Sequence, residues 1–217
     1  MKGEPIKTTV LSAQIIPNAD CALLRRLNAP ENHRSLGIIT TDCDDASYVA
    51  IDEATKKAEV TVAYAKSLYA GSKNASTRLA GEFIGILTAE GPSEIKSGLD
   101  AAISCLENDA YFISANDDNS IVYFAHCVSR TGSYLSDVAG VREGEPLAYL
   151  IAPPMEAIVG LDAAVKAAET RLMTFYGPPT ETNFAGGLLT GEQSACQAAC
   201  CAFSQRVCEA AETPIDY

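Results

Sequence analysis

The sequence predicts an α+β protein made of two tandem copies of one unit. Three observations carry this expectation. A pattern of residues recurs about half a chain apart, which is the signature of an internal repeat. Short apolar, strand-like runs are mixed irregularly with Ala-rich helical segments, which suggests antiparallel sheets with helices packed on them. No GxGxxG or GxxxxGK[ST] fingerprint occurs, so a nucleotide-binding α/β fold is not indicated. A chain of 217 residues has room for two domains of roughly 100 residues each.

The matches run in order along the two halves. Val10-Leu11-Ser12-Ala13 opens the first copy and Val122-Tyr123-Phe124-Ala125 the second. Ser35-Leu36-Gly37-Ile38-Ile39 and Pro146-Leu147-Ala148-Tyr149-Leu150-Ile151 are strand-like runs. Ile51 to Glu59 and Leu161 to Glu169 share Asp, Ala, Lys, Ala and Glu at one spacing, and both have helical character. Ala80-Gly81 and Ala185-Gly186 each open another apolar run. Gly91 and Gly191 each precede a second helix rich in Ala and Cys. Each unit is therefore expected to run strand, short helix, two strands, helix, variable loop, strand, helix. The boundary is read near Asn108-Asp109, giving domains 1–108 and 109–217. Two polar loops, residues 67–78 and 175–184, match in place but not in sequence. Loops of that length between packed elements often carry function.

Composition narrows the function. With 28 acidic and 16 basic residues the net charge is -12, which argues against nucleic acid and against a polybasic membrane surface. No signal peptide is read at the N-terminus, and no apolar run approaches the ~18 residues of a membrane span. The expected setting is soluble and intracellular, so the eight cysteines are expected to be reduced. Four of them, Cys196, Cys200, Cys201 and Cys208, fall in the last helical segment. A metal or iron–sulfur site is one reading. There is no CxxC pair, and free Cys packs well as a small hydrophobe, so core packing is the favoured one.

Catalytic patterns are sparse. His126 and Cys127 are adjacent, so in a strand they point to opposite faces and cannot form a dyad. His33 lies in a Pro-flanked turn with no activated nucleophile beside it. No set of nucleophile, base and oxyanion donors emerges, and the protein is expected not to be an enzyme. Asp42, Asp44 and Asp45 form an acidic cluster. As a calcium loop, Asp42, Asp44 and Glu53 would fill the first, third and twelfth positions, but Ser47 stands where that loop needs Gly. A solvated acidic turn is the ordinary alternative.

The repeat resembles the bacterial microcompartment shell domain, in its Ala163-Ala164-Val165-Lys166-Ala167-Ala168 helix and its Ala80 to Ile86 and Ala185 to Leu189 strands. Other strings are similar to the ethanolamine-utilisation branch of that family. They include Arg34 to Ile39, Asp52 to Lys56, Ser67 to Gly71, Ala148 to Pro154 and Pro178 to Asn183. The most specific is Val128-Ser129-Arg130-Thr131-Gly132-Ser133-Tyr134-Leu135-Ser136, which shell-domain geometry in general does not require. The likeness spans nearly the whole chain.

The resemblance implies two tandem, circularly permuted shell domains and a homotrimer that forms a pseudo-hexameric tile. It implies other microcompartment shell proteins as partners, in a cytoplasmic shell, and no nucleic acid or membrane. It implies a small pore in each subunit that binds ethanolamine at Asp44, Asp45 and Glu82, with Phe112 on the other side. Carboxylates and a carbonyl suit an ammonium group, which has three donors and no acceptor, and an aromatic face can add a cation–π term. Gly187 is read as standing at the place of Glu82 in the second copy, so one pocket per chain is expected. Gating of a central pore is assigned to the two long loops, with Tyr69, Gly71, Lys73 and Asn74 in one and Tyr176, Gly177, Glu181 and Asn183 in the other. Lys56 and Lys166 are assigned to the tile edges. No cofactor is required. Some relatives of this branch hold a cobalamin or a metal ion, but nothing in the sequence specifies a corrin site. A soluble amine-binding sensor that builds no shell is the alternative function.

Overall fold

A computed structural model describes residues 1–68, 77–178, 180 and 182–215. Tyr69, Gly71, Lys73, Asn74 and Glu181 lie outside the described residues. The elements run β1 (Pro5–Lys7), β2 (Val10–Ile16), α1 (Cys21–Arg26), β3 (Ser35–Thr41), α2 (Asp44–Lys57), β4 (Thr61–Ser67), a 3₁₀ turn (Arg78–Ala80), β5 (Phe83–Ala89) and α3 (Pro92–Asn108). They continue with β6 (Tyr111–Ser114), β7 (Val122–Val128), α4 (Ser133–Ala139), β8 (Leu147–Ala152), α5 (Pro154–Ala167), β9 (Thr170–Tyr176), β10 (Ala185–Gly191) and α6 (Gln193–Glu212).

The chain forms two compact units. The first comprises Lys7–Ala110 and Gly132–Leu135, and the second Met1–Ile6, Tyr111–Thr131 and Ser136–Tyr217. In the first, a four-stranded antiparallel sheet has the order β2-β3-β5-β4. In the second, β7-β8-β10-β9 repeats that order, and β1 and β6 extend it to six strands. The fold is the expected α+β class, and the repeat is visible as two sheets of one topology.

The order inside each unit differs from the expected one. A helix separates the second and third strands, and the loop lies between the third strand and the fourth. The displaced strands are β4 and β9, which follow the helix instead of preceding it and are edge strands. Edge strands keep one flank in solvent, so Thr61-Val62-Ala63-Tyr64-Ala65-Lys66-Ser67 is half-exposed along its length and carries little apolar signal.

The helices form for local reasons. α3 begins at Pro92, whose missing N–H costs nothing in a first turn, and buries Ile95, Leu99, Ala102 and Leu106 at helical spacing. These pack on the first sheet, where Ile95 and Leu99 close over Gly37 so tightly that an added Cβ would lie 2.6 Å from Ile95. α6 buries Cys196, Ala199, Cys200, Phe203, Val207 and Ala210 in the same way, against Tyr123, Ala148 and Leu150 of the second sheet. The short helices α1 and α4 both end on a left-handed residue, Asn28 (φ 52°) and Gly140 (φ 65°). That shared stop aligns the two helices residue by residue.

Candidate functional site

The acidic residues are positioned where β3 hands the chain to α2 and where β5 begins. β3 ends at Thr41, whose hydroxyl donates to the Cys43 carbonyl at 2.8 Å and lies 2.6 Å from the Ser47 hydroxyl. Asp42 accepts the Thr9 N–H at 2.6 Å. Asp44 and Asp45 open α2, and the Asp45 N–H donates to the Asp44 carboxylate at 2.9 Å. Carboxylates in a first turn are favoured by the positive end of the helix dipole. Asp44 and Asp45 are only 7% and 8% exposed. The cluster is therefore buried rather than a solvated turn. A calcium loop is also ruled out, because Asp44 and Glu53 share one continuous helix instead of facing each other around a loop.

Glu82 joins this group from the other side. Its N–H donates to the Thr41 carbonyl at 2.8 Å, and its carbonyl accepts the Leu68 N–H at 2.6 Å. Burial pushes its carboxyl pKa up, and the neighbouring Asp44 and then Asp42 push it further. Gly81 makes this approach workable. It sits at φ +64°, and a Cβ there would lie 2.2 Å from the Thr41 carbonyl oxygen. Gly81→Ala is expected to cost more than about 1 kcal/mol in urea unfolding, since it adds both a positive-φ strain and a backbone clash. Tyr48, one turn along α2, stacks edge-on against Phe83 at 5.1 Å, and its hydroxyl lies 2.8 Å from the Ser67 hydroxyl at the end of β4.

The carboxylates of Asp42, Asp44 and Glu82, near enough for the first two to act on the third, are acceptor-only. They suit a small cation with several N–H donors. The set lacks the nucleophile and base of a catalytic centre. His33 is held by the Thr88 hydroxyl at 2.8 Å, and His126 stacks on Phe124 in β7.

Among the described residues the second unit carries no such set, but the counterpart of Glu82 is not Gly187. The register pairs Phe83 with Thr41 and Ala185 with Ala152, so Phe184 stands where Glu82 stands. α5 likewise begins Pro154-Met155 where α2 begins Asp44-Asp45. Matching Ala80-Gly81 to Ala185-Gly186 puts that repeat match out of step by three residues. Phe112 lies in β6 of the second unit, 7% exposed, with its ring stacked on Phe124 at 5.3 Å and edge-on to Phe184 at 5.8 Å.

The remaining assigned residues are dispersed. Tyr176 ends β9 with its ring 6.3 Å from Tyr149. Gly177 packs beneath the Phe175 ring, and Asn183 takes φ 63° in a turn closed by its N–H to the Thr180 carbonyl at 3.2 Å. Lys56 is tucked against Glu53 at 2.6 Å and Asp52 at 3.5 Å, with 21% of its side chain exposed. Lys166 pairs with Asp162 at 2.6 Å and is 71% exposed.

Cys105, Cys196 and Cys200 are buried packing residues, whereas Cys21 and Cys201 are exposed. Cys196 and Cys200 lie in the apolar core under α6, and burial holds the Cys196 thiol up at about 11. Thiols so raised are poor metal ligands and poor nucleophiles at neutral pH. Among the described residues no group of three or more His, Cys, Asp or Glu is placed to hold a metal ion. Among them, too, no helix is long and apolar enough to cross a membrane.

One functional-looking residue was missed in the sequence. Asp52 is fully buried and accepts the N–H groups of Gly132 and Leu135, each at 2.8 Å. Thr55 adds a bond from the Ser133 N–H at 3.1 Å. An added Cβ at Gly132 would lie 2.2 Å from the Thr55 hydroxyl. Within the specific Val128 to Ser136 string, residues 132–135 thus have a local cause: they dock on α2. The signal was the string itself, without a partner to assign to it.

Comparison with known proteins adds four results. The BMC domain model matches residues 35–117. The chain is 56% identical over 217 residues, all of both chains, to the bacterial microcompartment shell protein EutL of Clostridium perfringens (strain 13 / Type A). It is 48% identical over 210 residues to the protein so named from Escherichia coli (strain K12), covering 97% of this chain and 96% of the other. Among solved structures, it is similar to the ethanolamine utilization protein EutL from Leptotrichia buccalis C-1013-b, with a TM-score of 0.97 and 61% identity over the whole of both chains.

Proposed function

The chain belongs to the EutL family of bacterial microcompartment shell proteins, and from that footing we propose that it is a shell tile that binds ethanolamine at Asp44, Asp45 and Glu82. It is a structural shell protein and not an enzyme. In this reading its two domains, residues 1–108 and 109–217, give a homotrimer with six domains in a ring. Other shell proteins adjoin it in the cytoplasm, and Lys166 and Lys56 lie toward the tile edges. The loops of residues 67–78 and 175–184 gate a central pore, and bound ethanolamine biases the gate only as far as it favours one loop state over the other. The reading asks for no cofactor.

The observation that carries the site is Glu82. Its backbone is held by hydrogen bonds to Thr41 and Leu68, and its half-buried carboxyl feels the charges of Asp44 and Asp42. Crowded carboxylates repel one another, and a cation relieves that repulsion. The Phe112 ring is buried, so Phe112 would offer its carbonyl rather than its ring face.

The test is calorimetric titration of ethanolamine, after light scattering has fixed the oligomer. One site per chain is expected. Because Glu82 holds its proton to higher pH than an ordinary glutamate, acidification neutralises it early. Affinity should fall as pH drops through that raised range and should level off above it. An affinity independent of pH, or no binding, removes Glu82 from the site. A discrete oligomer that binds the amine but never associates laterally would favour the sensor function instead.

A further inference from the structure

The first unit carries a second acidic concavity, at the opposite end of its sheet from Asp44 and Glu82. β3 and β5 pair antiparallel, from Ser35 with Ala89 to Thr41 with Phe83. Asp44 and Glu82 flank the Thr41 end. His33 and Glu90 flank the Ser35 end, roughly 20 Å away along the strand. There the turns before β3, between α2 and β4, and between β5 and α3 enclose a cleft of about 630 Å³. That volume is in the range of small-molecule sites.

The chemistry of the cleft is one-sided. Glu59, Glu90 and Glu94 bring carboxylates from two of those turns and the first turn of α3, and among the described residues no Lys or Arg lines it. Arg34 follows His33 in sequence, but its guanidinium donates to the carbonyls of Glu31 and His33. Two of the carboxylates are set in place. The Asn32 side-chain amide donates to Glu90. Glu94 lies over Gly91, where an added Cβ would be 2.9 Å from its carboxylate. Val60, 8% exposed, gives the cleft an apolar wall.

His33 makes more of this than an acidic rim. Its side chain is buried, with 9% exposed, yet its ring lines the cleft. Nδ1 lies 2.8 Å from the Thr88 hydroxyl, and Nε2 has no hydrogen-bond partner among the described residues. Burial pushes the His33 pKa down, against the pull of Glu90, so the ring is neutral at pH 7. In the tautomer whose Nδ1–H donates to Thr88, Nε2 keeps a lone pair and accepts.

We propose that this cleft binds a small polyamine, an alkyl chain bearing two or more ammonium groups. The ammonium groups donate to Glu59, Glu90 and Glu94, one N–H reaches His33 Nε2, and the methylenes between them lie on Val60. Carboxylates that repel one another gain most from a ligand with several positive charges. The net charge of -12 draws such a cation to the chain. This site is separate from the ethanolamine site and does not rest on it.

The test is spermidine titrated into the Glu82→Gln protein at fixed ionic strength, which takes the other acidic site out of play. The chain has two histidines, His33 and His126, so ring nitrogen NMR reads one inside the cleft and one outside it. The His33 Nε2 signal should shift on saturation, and the His126 signals should stay. By calorimetry, Glu59→Gln combined with Glu94→Gln should weaken spermidine binding at least about ten-fold. Glu59 is exposed and Glu94 half-buried, so the fold should hold, with an unchanged urea midpoint as the check. A His33 signal that stays put, or that moves as far with an equal concentration of Mg²⁺, overturns the proposal. So does an affinity that the double substitution leaves unchanged, or binding that the natural protein shows and Glu82→Gln loses.

Discussion

Replacing Asp52 with Ala is expected to lower the unfolding free energy by about 3 kcal/mol, read from the urea midpoint. The carboxylate is fully buried and takes two backbone N–H groups. Its removal leaves both donors without an acceptor, and each such group costs about 1–3 kcal/mol when buried. It also removes one carboxylate from the Lys56 ammonium, which keeps its pair with Glu53. Asp52→Asn keeps the shape and one acceptor oxygen, so it should cost about half as much. The repeat supplies the control. Asp162 occupies the matching place, exposed and paired with Lys166. Asp162→Ala should change stability by less than about 0.5 kcal/mol. Equal effects at the two positions would show that the docked segment contributes nothing.

Glu82→Gln is expected to weaken ethanolamine binding by about ten-fold to a hundred-fold. A hydrogen bond to a charged group is worth about 1.5–3 kcal/mol, and the amide also turns a pair of N–H donors toward an ammonium. Stability should hold or rise, because the substitution removes a carboxyl that burial, Asp44 and Asp42 all disfavour in its charged form. Tighter folding with weaker binding would separate a ligand site from a structural acid. Unchanged affinity would move the ligand elsewhere.

Much of this was legible in the sequence. The apolar faces of β3, β5, α3 and α6 follow helical and strand periods, and the repeat matches them across the two halves. The places of the edge strands β4 and β9 were not legible, because half-exposed strands lack an apolar period. The acidic cluster was visible as residue types, but its burial was not. Asp44 and Asp45 read as a solvated turn until Gly81 and Thr41 are seen to bring Glu82 beside them. Asp52 was invisible for a related reason. Its partners are backbone N–H groups about 80 positions away in sequence, and no side-chain pattern records a backbone donor.

The same limit explains the mismatch at Glu82. Matching Ala-Gly dipeptides aligned Gly187 with it, whereas strand register aligns Phe184. Register depends on which residues pair across a sheet, and a one-step slip is silent in composition. The correction strengthens the expectation of one acidic site per chain, since the second unit offers an aromatic ring and a Pro-Met helix start at those places.

The most direct test of the account is a crystal structure of the assembled protein soaked in ethanolamine. The account predicts one molecule per chain with its ammonium nitrogen about 2.7–3.2 Å from carboxylate oxygens of Glu82 and Asp44. Ethanolamine ordered elsewhere, with that acidic cluster holding none, would contradict it.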